Sequence, residues 1–196
     1  MINSIVCAKQ IIRAVISKSS VPEDPIHAEN VHEWLLRLKA DADETLQIAA
    51  LAHDIDRADE TRKIQRADYD DYNEFKAAHS RNSAEILKDI LHECQLEQPI
   101  IDEVCRLVEQ HEIGGDSRSD LLKDADSLSF FEVNMPLYFQ REGYEETLRR
   151  CIWGYRRISP QMKKICRNMT YPQPLLNKLL KEAINIPSEG NDDGPT

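Results

Sequence analysis

The sequence predicts an all-α fold: a single-domain helical bundle with flanking N- and C-terminal helices. Three observations carry that prediction. Apolar residues recur at helical spacing in one segment after another, while strand-like alternation is nearly absent. Six glycines and four phenylalanines stand among many Leu, Ile, Ala, Glu and Lys, a composition that favours helix. Helix-start signals are frequent, among them Asp24-Pro25, Asp41 with Glu44, and Ser117 with Asp120.

In order, the first helix is expected from about Ser4 to Lys18, with Ile5, Ile12, Val15 and Ile16 as its apolar stripe. Asp24 caps a second, which has proline at its first position and runs to about Ala40. Asp41 and Glu44 resemble a capping box ahead of a nearly continuous apolar segment, Leu46 to Ile55, which should be central and buried. Arg57 to Asp71 is a charged connector read as a surface loop or short lid. A long helix follows from about Tyr72 to His92, and Pro99 opens another that ends near Glu112, before Gly114-Gly115. Ser117 with Asp120 caps a helix that should bend or end at Pro136. Glu142 to Arg157, Pro160 to Asn168 and Pro174 to Ile184 complete the domain, 1–186. The tail, 187–196 (PSEGNDDGPT), is expected to be disordered.

A chain of 196 residues is long enough for one sizeable core. Its formal net charge of −10, without a Lys/Arg-rich run, argues against a duplex nucleic-acid partner, which needs clustered cations. A local basic pocket for a small phosphate is still allowed. The five cysteines (Cys7, Cys94, Cys105, Cys151, Cys166) show no C-x-x-C spacing and read as reduced, mostly buried thiols. Lys9 and Arg13 interrupt the apolar N-terminal stretch, which therefore lacks the order of a signal peptide, and no apolar run reaches membrane-spanning length. The expected compartment is cytoplasmic, with no membrane partner.

Helical phase, at about 100° per residue, sorts the six histidines. His27 shares a face with Val31, Trp34, Leu35 and Leu38, whereas His32 falls about 140° away and should be at or near the surface. His79 lies with Ser83, Ile86, Leu87 and Ile90, and His92 points elsewhere. His111 lines up with Val104, Leu107 and Val108, and His53-Asp54 ends the most apolar helix. In Lys123-Asp124-Ala125-Asp126, Asp126 falls on the apolar face with Leu122, Ser129 and Val133, while Asp124 lies opposite. Four histidines and two aspartates thus point from different helices to one interior. An unpaired buried carboxylate is expensive. A shared cation removes that cost, and mixed imidazole and carboxylate ligands suit a divalent transition metal.

These residues resemble the HD superfamily of metal-dependent phosphohydrolases, whose signature is a histidine, an adjacent His-Asp and a later aspartate. Here they are His27 in PIHAENVHEWL, His53-Asp54 in ALAHDID, and Asp126 in LLKDADSLSFF, with 26 positions from His27 to His53. The resemblance covers roughly Asp24 to Phe131, and the helices outside it are expected to say nothing about chemistry. It implies a hydrolase that cleaves a phosphoester or phosphoanhydride of a small molecule, a nucleotide being the expected partner, by metal-activated water. His79 and His111 extend the pattern to H…HD…H…H…D. Relatives with that order hold a second metal and let the HD aspartate bridge both; the alternative is that the two extra histidines face substrate phosphate. The implied ligand set is His27, His53, Asp54, His79, His111 and Asp126, around one or two ions of Mn, Fe, Ni, Co or Zn. A G-Y-P motif is missing, so cyclic-di-GMP hydrolysis is not implied.

The chemistry also needs a cation against the phosphoryl charge. Arg57, three residues after Asp54, and Lys123, three before Asp126, lead the candidates for catalysis beside Asp54, ahead of Lys76, Arg81 and Arg118. Acid–base help could come from Asp56 or a metal-free histidine. Arg62, Lys63, Arg66, Tyr69 and Tyr72 could close over a charged aromatic ligand, although a solvated loop is the commoner use of such a segment. Two other readings share the motif: a di-iron oxygenase branch of the superfamily, and a non-catalytic ligand-sensing module. The sequence also admits a homo-oligomer.

Overall fold

The computed structural model describes residues 3–186, so the expected disordered tail lies outside the described residues. The protein is one helical domain, with no strand among those residues. The helices are α1 (Ser4–Ile16), α2 (Asp24–Leu38), α3 (Glu44–Ala52), α4 (Tyr72–Glu93), α5 (Gln98–Gln110), α6 (Ser117–Ser129), α7 (Met135–Arg157), α8 (Lys163–Arg167) and α9 (Pro174–Asn185). None is long and apolar enough to cross a membrane.

Helix α3 is the centre of the fold because its second half, Ile48 to Ala52, carries no polar side chain. Leu46, Ile48, Ala49, Ala50, Leu51 and Ala52 are all buried, and α1, α2, α5 and α6 pack around it. Helix α4 packs along α5, and α2 along α6. Two apolar clusters result: one from α1 to the first half of α6, and a second built by the end of α6 with α7, α8 and α9.

Several helix starts differ from the expected ones. Asp43, not Asp41, caps α3: its Oδ1 accepts from Leu46 N at 3.0 Å, while Asp41 pairs with Lys39 in solvent. Asp116 caps α6 in a box closed by Ser119, one residue before the expected Ser117. In both cases the nearer aspartate is also held by an arginine: Arg118 binds Asp43, and Arg106 binds Asp116. Pro136 opens α7 rather than ending α6, the two being joined by a wide turn over Phe130–Asn134.

The cysteine expectation is corrected. Cys7 of α1 and Cys94, at the end of α4, form a disulfide, leaving Cys105, Cys151 and Cys166 free. The pair is 87 residues apart in sequence but 5.8 Å apart between Cα atoms, within the reach of a bridge and unmarked by any local spacing.

Candidate metal centre

Where α2 to α6 meet, each contributes a ligand-type side chain near its inward end. His27, His53, His79 and His111 are all buried, and Asp126 is 7% exposed. His32 is half-buried against Gln47, and His92 is exposed, so neither belongs to the cluster.

The ring orientations are fixed from behind. His53 Nδ1 donates to Ala50 O at 3.0 Å and His111 Nδ1 to Val108 O at 2.7 Å. Both residues follow the last turn of a helix and bond to carbonyls of that turn. His27 Nδ1 donates to Ser129 Oγ at 2.9 Å, and His79 Nδ1 lies 2.5 Å from Asp56 Oδ1. With every Nδ1 engaged outward, all four Nε2 atoms face one interior, the arrangement that partners on the far ring nitrogen impose on metal-binding histidines.

Two groups form there. His27 Nε2, His53 Nε2 and Asp126 Oδ1 lie 3.1, 3.2 and 3.6 Å apart pairwise. Metal–nitrogen bonds of about 2.0–2.1 Å separate neighbouring ligands by roughly 3–3.5 Å, so the triangle has the size of one face of a coordination shell. The second group is Asp54, His79, His111 and Glu112, and each group could hold a metal ion. Asp54 joins them: Oδ1 is 2.6 Å from His79 Nε2 and 3.6 Å from His111 Nε2, whereas Oδ2 is 3.7 Å from His53 Nε2.

Charge also favours a cation. Asp24, Asp54, Asp56, Glu112 and Asp126 are set against the fixed charges of Arg57, Lys76 and Arg157. The carboxylate excess must be offset by protons on imidazole or by a bound ion. Burial opposes charge on the imidazole of His111, but Glu112 and Asp54 outweigh it and push its pKa up to about 10. Burial likewise lowers His79, yet Asp54 and Asp56 raise it overall. His27, where burial dominates, is lowered. Asp54 is held well below the carboxylate range: burial alone would raise it, but His53, His79 and Arg57 prevail. His111 Nε2 and both Glu112 carboxylate oxygens are buried and meet charged groups only: Glu112 Oε1 faces Lys76 and, at 3.1 Å, His111 Nε2, and Oε2 faces Arg157.

All six expected ligands therefore come together. Of the expected catalytic cations, Arg57 reaches the site, with Nη1 2.9 Å from Asp54 Oδ2 and Nη2 3.2 Å from Asp24 Oδ1. Lys123 does not. Its Nζ is turned to Asp120 Oδ1 and the Ile113 carbonyl at the α5–α6 loop. Gly114 has φ +75° there, and a Cβ on it would come within 2.7 Å of that ammonium. Arg118 binds Asp43 and Glu103, and Arg81 is exposed. Lys76 does reach the site, through Glu112.

Two participants were missed. Glu112 repeats the local device of Asp54, an acid directly after a histidine that ends a helix; that likeness was the readable signal. Arg157, at the end of α7, corrects the expectation that flanking helices carry no chemistry. It binds Glu112 Oε2 at 2.9 Å and Asp126 Oδ2 at 3.1 Å, and no local pattern reveals that reach. Asp124, expected opposite to Asp126, does point elsewhere, but into a buried corner where it accepts from Ser159 N at 2.8 Å.

Beside the second group lies a cavity of about 310 Å³, whose wall includes Arg57, Lys76 and His79 together with Lys63, Arg66 and Tyr72. The charged connector thus contributes Lys63 and Arg66 to the wall, while Arg62 pairs with Asp89 in solvent. The connector itself contains two short 3-10 turns, Ile55–Ala58 and Arg66–Asp68.

No curated protein and no solved structure matches the chain. Residues 9–179, a span that includes every residue of both metal-ligand groups, match the family model described as a domain of unknown function (DUF4202), and the chain belongs to that family.

Proposed function

We propose that the protein is a metal-dependent phosphohydrolase of the HD type, acting on a phosphoester or phosphoanhydride of a small molecule such as a nucleotide. The observation that carries the reading is Asp54, whose two carboxylate oxygens face different histidine groups, as a bridging ligand requires. His27, His53, Asp54 and Asp126 would hold one ion, and Asp54, His79, His111 and Glu112 a second. Bound divalent metal would supply hydroxide at neutral pH and polarise a phosphoryl oxygen.

The remaining work falls to the chain. Asp56 Oδ1 sits 2.5 Å behind His79 Nδ1, a charge contact on the far side of the ring whose Nε2 faces Asp54. Arg157 neutralises the outer oxygens of Glu112 and Asp126, which lets two buried carboxylates stay ionised. Arg57 and Lys76 line the cavity and present positive charge where negative charge accumulates on a transferred phosphoryl group.

The test is phosphate release from a panel of nucleotides and simple phosphoesters, with Mn, Fe, Ni, Co and Zn each added in turn. Metal-dependent release, lowered at least about a hundredfold by Asp54→Asn in a protein that keeps its helical circular dichroism, is the expected result. Absence of release with every metal and substrate, or an unchanged rate in Asp54→Asn, would overturn it.

A further inference from the structure

The cavity beside the second ligand group contains more positive charge than one phosphoryl group needs, and its positions form two sets. Arg57 and Lys76 are already committed to the carboxylates of the metal centre. Arg66, from the connector, and Arg150, from α7, line the same cavity; Arg66 Nη1 donates to the Tyr69 carbonyl, and Arg150 lies over the Phe130 and Trp153 rings. Arg66 Nε and Arg150 Nη1 are buried atoms with no hydrogen-bond acceptor. A buried, unsatisfied guanidinium N–H costs free energy, and a planar guanidinium is well matched to the oxygens of a phosphate.

Aromatic rings accompany these arginines. The Arg66 guanidinium lies 5.7 Å from the Tyr72 ring centre and 6.0 Å from that of Phe75. Tyr72 meets Trp153 edge to face at 5.1 Å, and the Arg150 guanidinium lies 4.5 Å from the Trp153 ring centre. Tyr72, Phe75, Lys76 and His79 form one stripe along α4. At 1.5 Å per residue, Tyr72 lies about 10 Å along the helix from His79. A ligand with one phosphate at the metal centre would therefore meet the rings and the second pair of arginines farther along the same groove.

We propose that Arg66 and Arg150 form a second phosphate-binding position, and that the site takes a planar-ring ligand carrying two or more phosphates, with the ring against Tyr72 and Phe75. This rests on the hydrolytic reading only for the location of the reacting phosphate. The net charge of −10 makes the local excess of cations informative, because general attraction of polyanions by the protein is absent.

The test is calorimetric binding of adenosine 5′-(α,β-methylene)diphosphate, which resists hydrolysis, to the protein as purified. Adenosine supplies the ring alone, and inorganic pyrophosphate the charge alone. The analogue is expected to bind at least about tenfold more tightly than either, and Arg66→Ala and Arg150→Ala each to weaken it by about tenfold at unchanged metal content. Equal binding by pyrophosphate would overturn the aromatic half, and wild-type affinity in both arginine variants would overturn the second phosphate position. The hydrolytic reading is decided separately. Binding that depends on both arginines without any metal-dependent phosphate release would keep this site and remove that reading. Phosphate release without preference for the analogue would remove this site and keep the reading.

Discussion

Replacing Arg157 by methionine removes the guanidinium, whose carbon lies 4.8 Å from the Trp153 ring centre, while keeping much of the apolar stem. In the chelator-treated protein this leaves Glu112 Oε2 and Asp126 Oδ2 without their ion-pair partner, and the carbonyls of His111 and Glu112 without a donor. Breaking a buried pair by deleting one partner costs about 3–5 kcal/mol. Lys76 still serves Glu112, and His27 with His53 still serves Asp126, so the lower end, about 3 kcal/mol, is expected. For a chain of this size that corresponds to a melting point lower by about 6–12 °C. Urea unfolding followed by circular dichroism measures it. Saturation with the metal that the protein retains should narrow the gap between variant and wild type, because the same carboxylates then gain a second cation. A loss under about 1 kcal/mol without metal would refute the electrostatic role assigned to Arg157. An equal gap with and without metal would show that Glu112 and Asp126 do not bind the ion.

Other expectations follow from single contacts. Asp43→Ala removes the α3 cap and the bidentate pair with Arg118, costing about 1–2 kcal/mol at pH 7 after solvent screening of a half-exposed group. Arg118 holds the folded-state pKa of Asp43 below its ordinary value, so this stability is complete above about pH 4 and is lost as pH falls through the folded value. The variant and the wild type should converge in acid unfolding curves. Asp124→Asn and His32→Ala should retain metal on gel filtration, whereas His53→Ala and Asp54→Ala should elute without it; metal loss with Asp124→Asn would contradict its placement at Ser159. Cys7→Ser should lower stability by about 2–4 kcal/mol under oxidising conditions and have little effect in excess dithiothreitol, since it opens the α1–α4 link.

What could be read in advance was set by periodicity, and what could not was set by chain crossings. The inward phase of His27, His79 and Asp126 follows from 3.6-residue spacing on long helices, and His53 from its position after the apolar run Ile48 to Ala52. The caps of α3 and α6 lie two and one residues from the expected positions because several polar side chains compete at each helix start, and tertiary partners such as Arg118 decide among them. Lys123 was misjudged because spacing from Asp126 gives a side chain's direction but not the reach that the Gly114 loop offers it. Arg157 and the Cys7–Cys94 bridge involve partners 31 to 87 residues away, which local patterns do not encode.

The most direct measurement is the metal content per chain of protein purified without chelator or added metal, by elemental analysis, beside the same measurement on Glu112→Gln and His27→Ala. Two transition-metal ions per chain in the wild type, with each variant losing one, is the expected result. Iron at both positions together with iron-dependent oxygen uptake and no phosphate release would assign the oxygenase chemistry instead. No bound metal in the wild type, even after reconstitution with Mn, Fe, Ni, Co and Zn, would contradict the metal centre itself.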